Sequence, residues 1–168
     1  MTWESEIENI KTLRKLAIEQ GGQDNVDRQH AKGRLTVRER IEALLDPGSF
    51  QEVGPISGTS QRDKDGELIS FTPANFILGF GKIHERTCIV SGEDFTVKGG
   101  SPNASGLRKS IYAEHLACLH RVPLIRLHEG GGGSVGGTGA SATTVGTPVH
   151  EPHRFRSVAE AMATVPVA

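Results

Sequence analysis

The chain has little of what anchors a large core. Only 36% of its 168 residues are hydrophobic and 5% aromatic, with one Trp and one Tyr. That length still suffices for one domain with a buried interior. There are only two cysteines, Cys88 and Cys118. They are far apart and sit in apolar sequence, which predicts buried thiols and excludes a disulfide framework. No charge of either sign dominates. A net charge of -1 argues against a nucleic-acid binder, which needs a basic surplus. No apolar run approaches the ~20 residues that span a bilayer. The opening Met1-Thr2-Trp3-Glu4-Ser5-Glu6 lacks the basic-then-apolar pattern of a secretion signal. These absences predict a cytosolic protein with neither nucleic-acid nor membrane partners.

What the chain does have is glycine, 21 residues of it. The densest stretch is Glu129-Gly130-Gly131-Gly132-Gly133-Ser134-Val135-Gly136-Gly137, directly after the apolar run Val122–Leu127. Bare backbone can approach a ligand closely and aim N–H groups at it. A strand ending in such a loop is where open α/β folds bind ligands.

The rest of the chain supplies the frame. Trp3, Ile7, Ile10, Leu13 and Ala17 recur at helical spacing and predict an apolar helix face, stopped by Gly21-Gly22. Residues 23–33 read as a polar stretch. Thr36-Val37-Arg38-Glu39 fits a capping box and starts a second helix, with Val37, Ile41, Leu44 and Leu45 on its apolar side. Residues 50–53 read as a short strand. Residues 57–69 read as polar and turn-rich, with Asp63-Lys64-Asp65-Gly66 at the tip. Residues 75–83 and 87–92 predict a hairpin across His84-Glu85-Arg86. Gly99-Gly100-Ser101-Pro102, a helix over 105–120 and a buried strand over 122–127 follow. Strand, glycine turn, helix, strand, glycine turn predicts a parallel β-α-β crossover. Both glycine turns should then face one cleft. Residues 159–168 repeat the helix-end, Val-Pro, strand pattern of 116–125, and the chain stops where that strand should begin. The expectation is a truncated piece of a longer repeat of β-α units.

Several chemistries compete for the glycine loop. Gly131-Gly132-Gly133-Ser134-Val135-Gly136 formally satisfies G-x-G-x-x-G, but no helix clearly opens there and no acid lies ~20 residues on. No G-K-[ST] occurs. G-x-S-x-G is met with Ser134, yet four glycines separate it from its strand and no Asp follows it. His115, His120 and His128 lack chelating spacing, so no metal is expected. The remaining reading is an oxyanion site built from backbone amides, which needs no acid–base dyad. A loop that only lets two layers pack is the plain alternative.

Arg34-Leu35-Thr36-Val37-Arg38-Glu39-Arg40-Ile41 followed by Leu44-Leu45-Asp46-Pro47-Gly48-Ser49-Phe50-Gln51-Glu52 resembles the N-terminal signature of biotin-dependent acyl-CoA carboxylase carboxyltransferase (β) subunits, of the propionyl-CoA and methylcrotonyl-CoA type. Asp94-Phe95-Thr96-Val97-Lys98-Gly99-Gly100-Ser101 resembles that family's second signature, and the glycine loop its D-G-A-G-A-R or D-S-G-G-A-R stretch. The resemblance implies an α/β crotonase-like fold of repeated β-β-α units. Residues 1–33 would form an N-terminal helical segment and 34–168 a partial carboxyltransferase N-domain.

The activity implied is transfer of a carboxyl group from carboxybiotin to the α-carbon of an acyl-CoA. Biotin would arrive on a partner, a biotin carboxylase or biotin carboxyl carrier subunit. Carboxyltransferase subunits would form a homo-oligomer, located in the cytoplasm, or in the mitochondrial matrix if eukaryotic. Carried over by position, Gly132 and Gly133 are the oxyanion donors for biotin, and Gly131 shapes the turn. Gly99, Gly100 and Ser101 line the neighbouring wall near CoA. The second oxyanion hole of the family lies in a C-domain that this chain lacks. Arg34, Arg38 and Arg40 could reach a CoA phosphate; a solvated helix face with local ion pairs is the favoured reading. Glu129 replaces the family's usual acid and Ser134 its Arg, and the I-Q-E-G that follows there is absent. A related decarboxylase subunit and a truncated, non-catalytic assembly protein are the alternatives.

Overall fold

The computed structural model describes residues 3–101, 103–129 and 151–168, the last span as backbone only up to residue 156. Among the described residues, five α-helices and six strands follow in order, with a short 3-10 turn at Lys98–Gly100. Helices α1 (Glu4–Ile18), α2 (Gln23–His30) and α3 (Val37–Leu44) lead into β1 (Gln51–Glu52). Strands β2 (Gly58–Arg62) and β3 (Leu68–Pro73) form a separate two-stranded ribbon. Then come β4 (Phe76–Ile83), β5 (Arg86–Glu93), α4 (Ala104–His120), β6 (Leu124–Leu127) and α5 (Glu151–Thr164).

The main sheet has the order β1-β4-β5-β6. The β4–β5 hairpin is antiparallel and turns through His84 and Glu85, whose φ values of 48° and 62° are left-handed. β5 and β6 are parallel, joined across α4, so the expected β-α-β unit is present. After α5 the chain runs beside β6, with a parallel bridge between Leu124 and Val167. The repeated Val-Pro pattern therefore marks the start of a further parallel pairing.

Both faces of the sheet are covered, which explains why β4 and β5 read as nearly continuous apolar runs. Leu78, Phe76, Ile89 and Leu124 meet α4 and α5 through Ala113, Leu116, Ala117, Ala161 and Val165. The alternate residues Ile77, Cys88 and Val90 meet α3 through Val37, Ile41 and Leu45. Period-two alternation thus sends neighbouring side chains into different layers. The capping box at α3 forms in full. Thr36 Oγ1 accepts from Glu39 N at 3.3 Å, and Thr36 N donates to Glu39 Oε2 at 2.6 Å.

Four expectations need correction. The polar stretch 23–33 contains α2, a helix whose single buried residue is Gln29. No apolar stripe announces it, because it is held by polar contacts. The turn-rich 57–69 region is mostly the β2–β3 ribbon. β2 is Gly-Thr-Ser-Gln-Arg and carries no apolar alternation, since the ribbon is largely exposed. Its tip lies where expected, with Asp63 Oδ1 accepting from Asp65 N and Glu67 N at 2.9 and 2.8 Å. The apolar face of α1 is not a core face: Trp3 is 71% exposed, and only Ala17 is buried. The strand expected over 122–127 starts at Leu124, and of its four residues only Leu124 is buried. Of the two free thiols, Cys88 is buried and Cys118 half-buried. Burial pushes the Cys88 thiol up, and the carboxylate of Asp46 adds to this.

Candidate functional site

β5 and β6 end side by side, and the segments leaving them, residues 94–101 and 128–129, form the centre of the site. Asp94 is 1% exposed. Its Oδ1 accepts from Thr96 N at 3.0 Å and Thr96 Oγ1 at 2.6 Å. Burial pushes its carboxyl above the usual range, against those two hydrogen bonds and the charge of Arg38; Glu129 pushes the same way as burial. Lys98, Gly99 and Gly100 follow with φ of 51°, 62° and 71°. Three left-handed residues in a row need glycine at two of them. Gly100 N donates to Val97 O at 3.1 Å and Ser101 N to Lys98 O at 3.3 Å, so these amides hold the turn itself. Asn75 Nδ2 donates to Ser101 O and closes the turn from beneath.

The N-terminal helices grip this turn. Gly21 N donates to Thr96 Oγ1 at 3.0 Å. A Cβ on Gly21 would sit 1.9 Å from Thr96 O, a backbone atom that cannot step aside. Gly21→Ala is therefore expected to lift α1 and α2 off the 94–101 turn and cost about 1–3 kcal/mol. A lowered thermal midpoint together with faster proteolysis after residue 20 is the expected result. A wild-type midpoint would show that the turn does not depend on this contact.

Glu129 opens the glycine loop and is clamped. Its side chain is 9% exposed, with Arg40 Nη1 at 3.4 Å and Arg34 Nη1 at 4.0 Å. Gln29 Nε2 donates to it at 3.3 Å. Arg38 grips Glu52 instead, with Nη1 at 2.8 Å and Nη2 at 3.3 Å, and also reaches Ala17 O at 3.3 Å. The three arginines are thus ion-paired, in line with the favoured reading. Their partners, however, are distant in sequence and half-buried or buried, and of the three arginines only Arg34 is largely exposed. Beside β6, His128 Nδ1 lies 3.1 Å from Glu93 Oε1, and Glu93 Oε2 is buried without a hydrogen-bond partner among the described residues.

Behind the site, Lys109 on α4 is 6% exposed and lies 3.7 Å from Glu52 Oε1. Burial lowers its pKa to about 8, opposed by Glu52 and reinforced by Arg38. The unfolded value is about 10.4. Below pH 8 the ammonium is charged in both states and its full burial penalty is felt. Above pH 8 the folded chain sheds that proton while the unfolded chain keeps it, so this group's contribution rises with pH until about 10.4. Lys109→Met should remove a rise on the order of 3 kcal/mol across that window. Urea midpoints of both proteins from pH 7 to 10 measure the difference. A constant offset between them would refute the assignment.

Among the described residues, no group of three or more His, Cys, Asp and Glu could hold a metal ion. No helix among them is long and apolar enough to cross a membrane.

Comparison with known proteins places this arrangement. The profile of the carboxyl transferase domain matches residues 28–151. The chain belongs to the carboxyl transferase domain family. It is 34% identical over 131 residues to the propionyl-CoA carboxylase beta chain of Roseobacter denitrificans, covering 77% of this chain and 25% of that one. Among solved structures, a single-chain, multi-domain long-chain acyl-CoA carboxylase superposes with a TM-score of 0.74 at 28% identity, over 96% of this chain and 17% of that one. The hexameric transcarboxylase 12S core, solved with methylmalonyl-coenzyme A bound, gives a TM-score of 0.69 at 27% identity, over 95% and 29%. The chain spans about a quarter of the length of the curated relatives it matches.

The carboxyl transferase fold is the α/β crotonase-like one expected, in partial form. Of the anticipated site residues, Gly99, Gly100 and Ser101 sit together on the turn after β5. Gly131, Gly132, Gly133 and Ser134 lie outside the described residues. The sequence reading missed α2, which borders the turn after β5. Asn25, Arg28, Gln29 and Lys32 line a cleft of about 290 Å³ with Phe95, Thr96, Lys98 and Gly99. The available signal was Arg28 and Lys32, four residues apart on either side of Gln29.

Proposed function

We propose that this chain is part of the carboxyltransferase component of a biotin-dependent acyl-CoA carboxylase, acting on the α-carbon of an acyl-CoA. The observation that carries the reading is the glycine turn at 98–100 leaving β5 beside the end of the parallel strand β6, in a chain of the carboxyl transferase family. Carboxybiotin, delivered by a biotin carboxylase or carrier partner, supplies an activated carboxyl group. Gly132 and Gly133 would offer backbone amides to the ureido oxygen, with Gly131 shaping the turn. Gly99, Gly100 and Ser101 would wall the acyl-CoA side; with the Gly100 and Ser101 amides committed to the turn, Gly99 is the residue free to face a ligand. Carboxylates nearby support the reading by being engaged elsewhere: Glu129 by two arginines, Asp94 by Thr96. That leaves charge stabilisation to backbone dipoles, which work best where water is excluded. A homo-oligomer in the cytoplasm, or in the matrix of a mitochondrion, is the corresponding assembly.

A chimera tests this. Residues 28–168 replace the aligned quarter of the Roseobacter denitrificans propionyl-CoA carboxylase beta chain. The expected result is label transfer from carboxybiotin to an acyl-CoA by the assembled chimera, and none by the 168-residue chain alone. A folded, assembled chimera without transfer to any acyl-CoA would overturn the proposal.

A further inference from the structure

We propose that the exposed face of α1 docks on the same face of a second copy of this chain, the two helices running antiparallel about a two-fold axis near Ile10. The inference does not rest on the carboxyl-transfer reading. At about 100° per residue, Trp3, Ile7, Ile10, Arg14 and Ile18 fall within about 80° of the α1 surface. All five are exposed, Trp3 at one end by 71% and Ile18 at the other by 63%. The helix is held from its other side, where Leu13 and Leu16 are half-buried and Ala17 is buried. Asn9 Oδ1 also accepts from Arg62 Nη2 at 3.1 Å, which ties α1 to the β2–β3 ribbon. The stripe is therefore fixed in place and faces outward along about 22 Å of helix. Four large apolar side chains in one line form a patch rather than scattered surface residues.

The charges beside the stripe name its occupant. Glu4, Glu8, Lys11 and Lys15 lie along one flank, within about 60° of one another. Acids hold the N-terminal half of that flank and lysines the C-terminal half. A parallel copy would set Glu4 against Glu4 and Lys15 against Lys15. An antiparallel copy sets Glu4 against Lys15 and Glu8 against Lys11, each twice, because the contact is isologous. The same register lays Trp3 over Ile18 of the second copy and brings the two Ile10 side chains together at the axis. Arg14, inside the stripe, covers apolar surface with its stem and carries its guanidinium toward the acidic half of the second helix.

Glu8 and Lys11 already pair within one helix, with Nζ 2.6 Å from Oε1. Both remain largely exposed, so each has room for a partner from the second copy. Glu4 and Lys15 form no ion pair among the described residues. Acids at the N-terminus and a lysine at the C-terminus also suit the dipole of a lone helix. The dipole leaves the apolar stripe unaccounted for, and it makes the opposite prediction below. A single helix pair of this length falls short of the ~1,200 Å² of a standard interface, so the association is weak and depends on concentration.

The test is sedimentation equilibrium of the 168-residue chain at low salt, with the emission of Trp3, its only tryptophan, followed over the same concentrations. The expected result is a mass that rises from one chain to two and no further, while Trp3 emission moves to shorter wavelength as the ring leaves water. Ile7→Ser with Ile10→Ser should weaken association at least about tenfold. Glu4→Lys with Glu8→Lys should weaken it about tenfold, and so should Lys11→Glu with Lys15→Glu. All four charge changes together should restore it, although they then oppose the dipole of α1. A purely structural role predicts the reverse, with that fourfold variant the worst. A parallel pair predicts no difference among the charge variants. Circular dichroism shows that each variant is folded. Wild-type association in the folded double charge variants, or no recovery in the folded fourfold variant, overturns the antiparallel contact. A folded wild-type chain that stays monomeric leaves the stripe to a different partner and overturns it too, as does growth beyond two copies. None of these outcomes touches the carboxyl-transfer reading, which stands or falls on the chimera.

Discussion

Arg126→Met should destabilise the fold by about 3–5 kcal/mol, the effect of removing one partner of a buried ion pair. Arg126 Nη1 lies 2.6 Å from Glu114 Oε1, and its Nη2 donates to Ser110 Oγ at 3.0 Å. Glu114 is 1% exposed, in the middle of α4, and Ser157 of α5 also donates to it. The guanidinium comes from β6, so this one carboxylate ties strand, helix and following helix together. Without Arg126 the buried carboxylate loses the one ion-pair partner it has among the described residues. Urea denaturation of the two proteins at pH 7 reads the loss directly. The double variant Arg126→Met with Glu114→Leu should recover much of it, because two apolar groups leave no orphaned charge. Equal midpoints for Arg126→Met and wild type would show that the pair contributes nothing.

Gly133→Pro, made in the chimera, should lower kcat by a factor of about 10² to 10³, near 3 kcal/mol of transition-state stabilisation. Proline removes the backbone N–H that the proposed oxyanion site would use. The same loss in kcat and kcat/KM would mark an interaction made only in the transition state. An unchanged kcat in a folded chimera would exclude the Gly133 amide as a donor. Gly131→Pro is the companion variant. It should act through the shape of the turn and raise KM along with lowering kcat.

The elements legible from sequence are those with a local signal. Thr36 and Glu39 signed the start of α3 because a capping box needs only four residues of sequence. Residues 75–83 and 87–92 read as a hairpin because two apolar runs are separated by only three residues, His84-Glu85-Arg86. The glycines at 99–100 announced a turn because few other residues adopt positive φ. The elements missed have no such signal. α2 has one apolar residue, Val26, and buries only the polar Gln29, and the β2–β3 ribbon has one strand without an apolar side chain. The misread face of α1 shows the converse. Its apolar spacing is helical, yet Trp3, Ile7 and Ile10 stay exposed. Periodicity reports that a stripe exists, not that anything in these residues covers it.

The site divides in the same way. The glycine turn after β5 and the family signatures around it were readable, because short motifs encode backbone conformation directly. The pairing of Glu129 with Arg34 and Arg40, and of Glu52 with Arg38 and Lys109, was not, because each joins residues far apart along the chain. By itself, the sequence determined the family, the β-α-β order, the helix caps and the turns, all of which depend on neighbours within a few residues. Only the tertiary structure decided which charges neutralise one another and which are left over. That depends on which distant segments share a desolvated space, as where Arg34 and Arg40 close on Glu129 and Arg38 and Lys109 on Glu52.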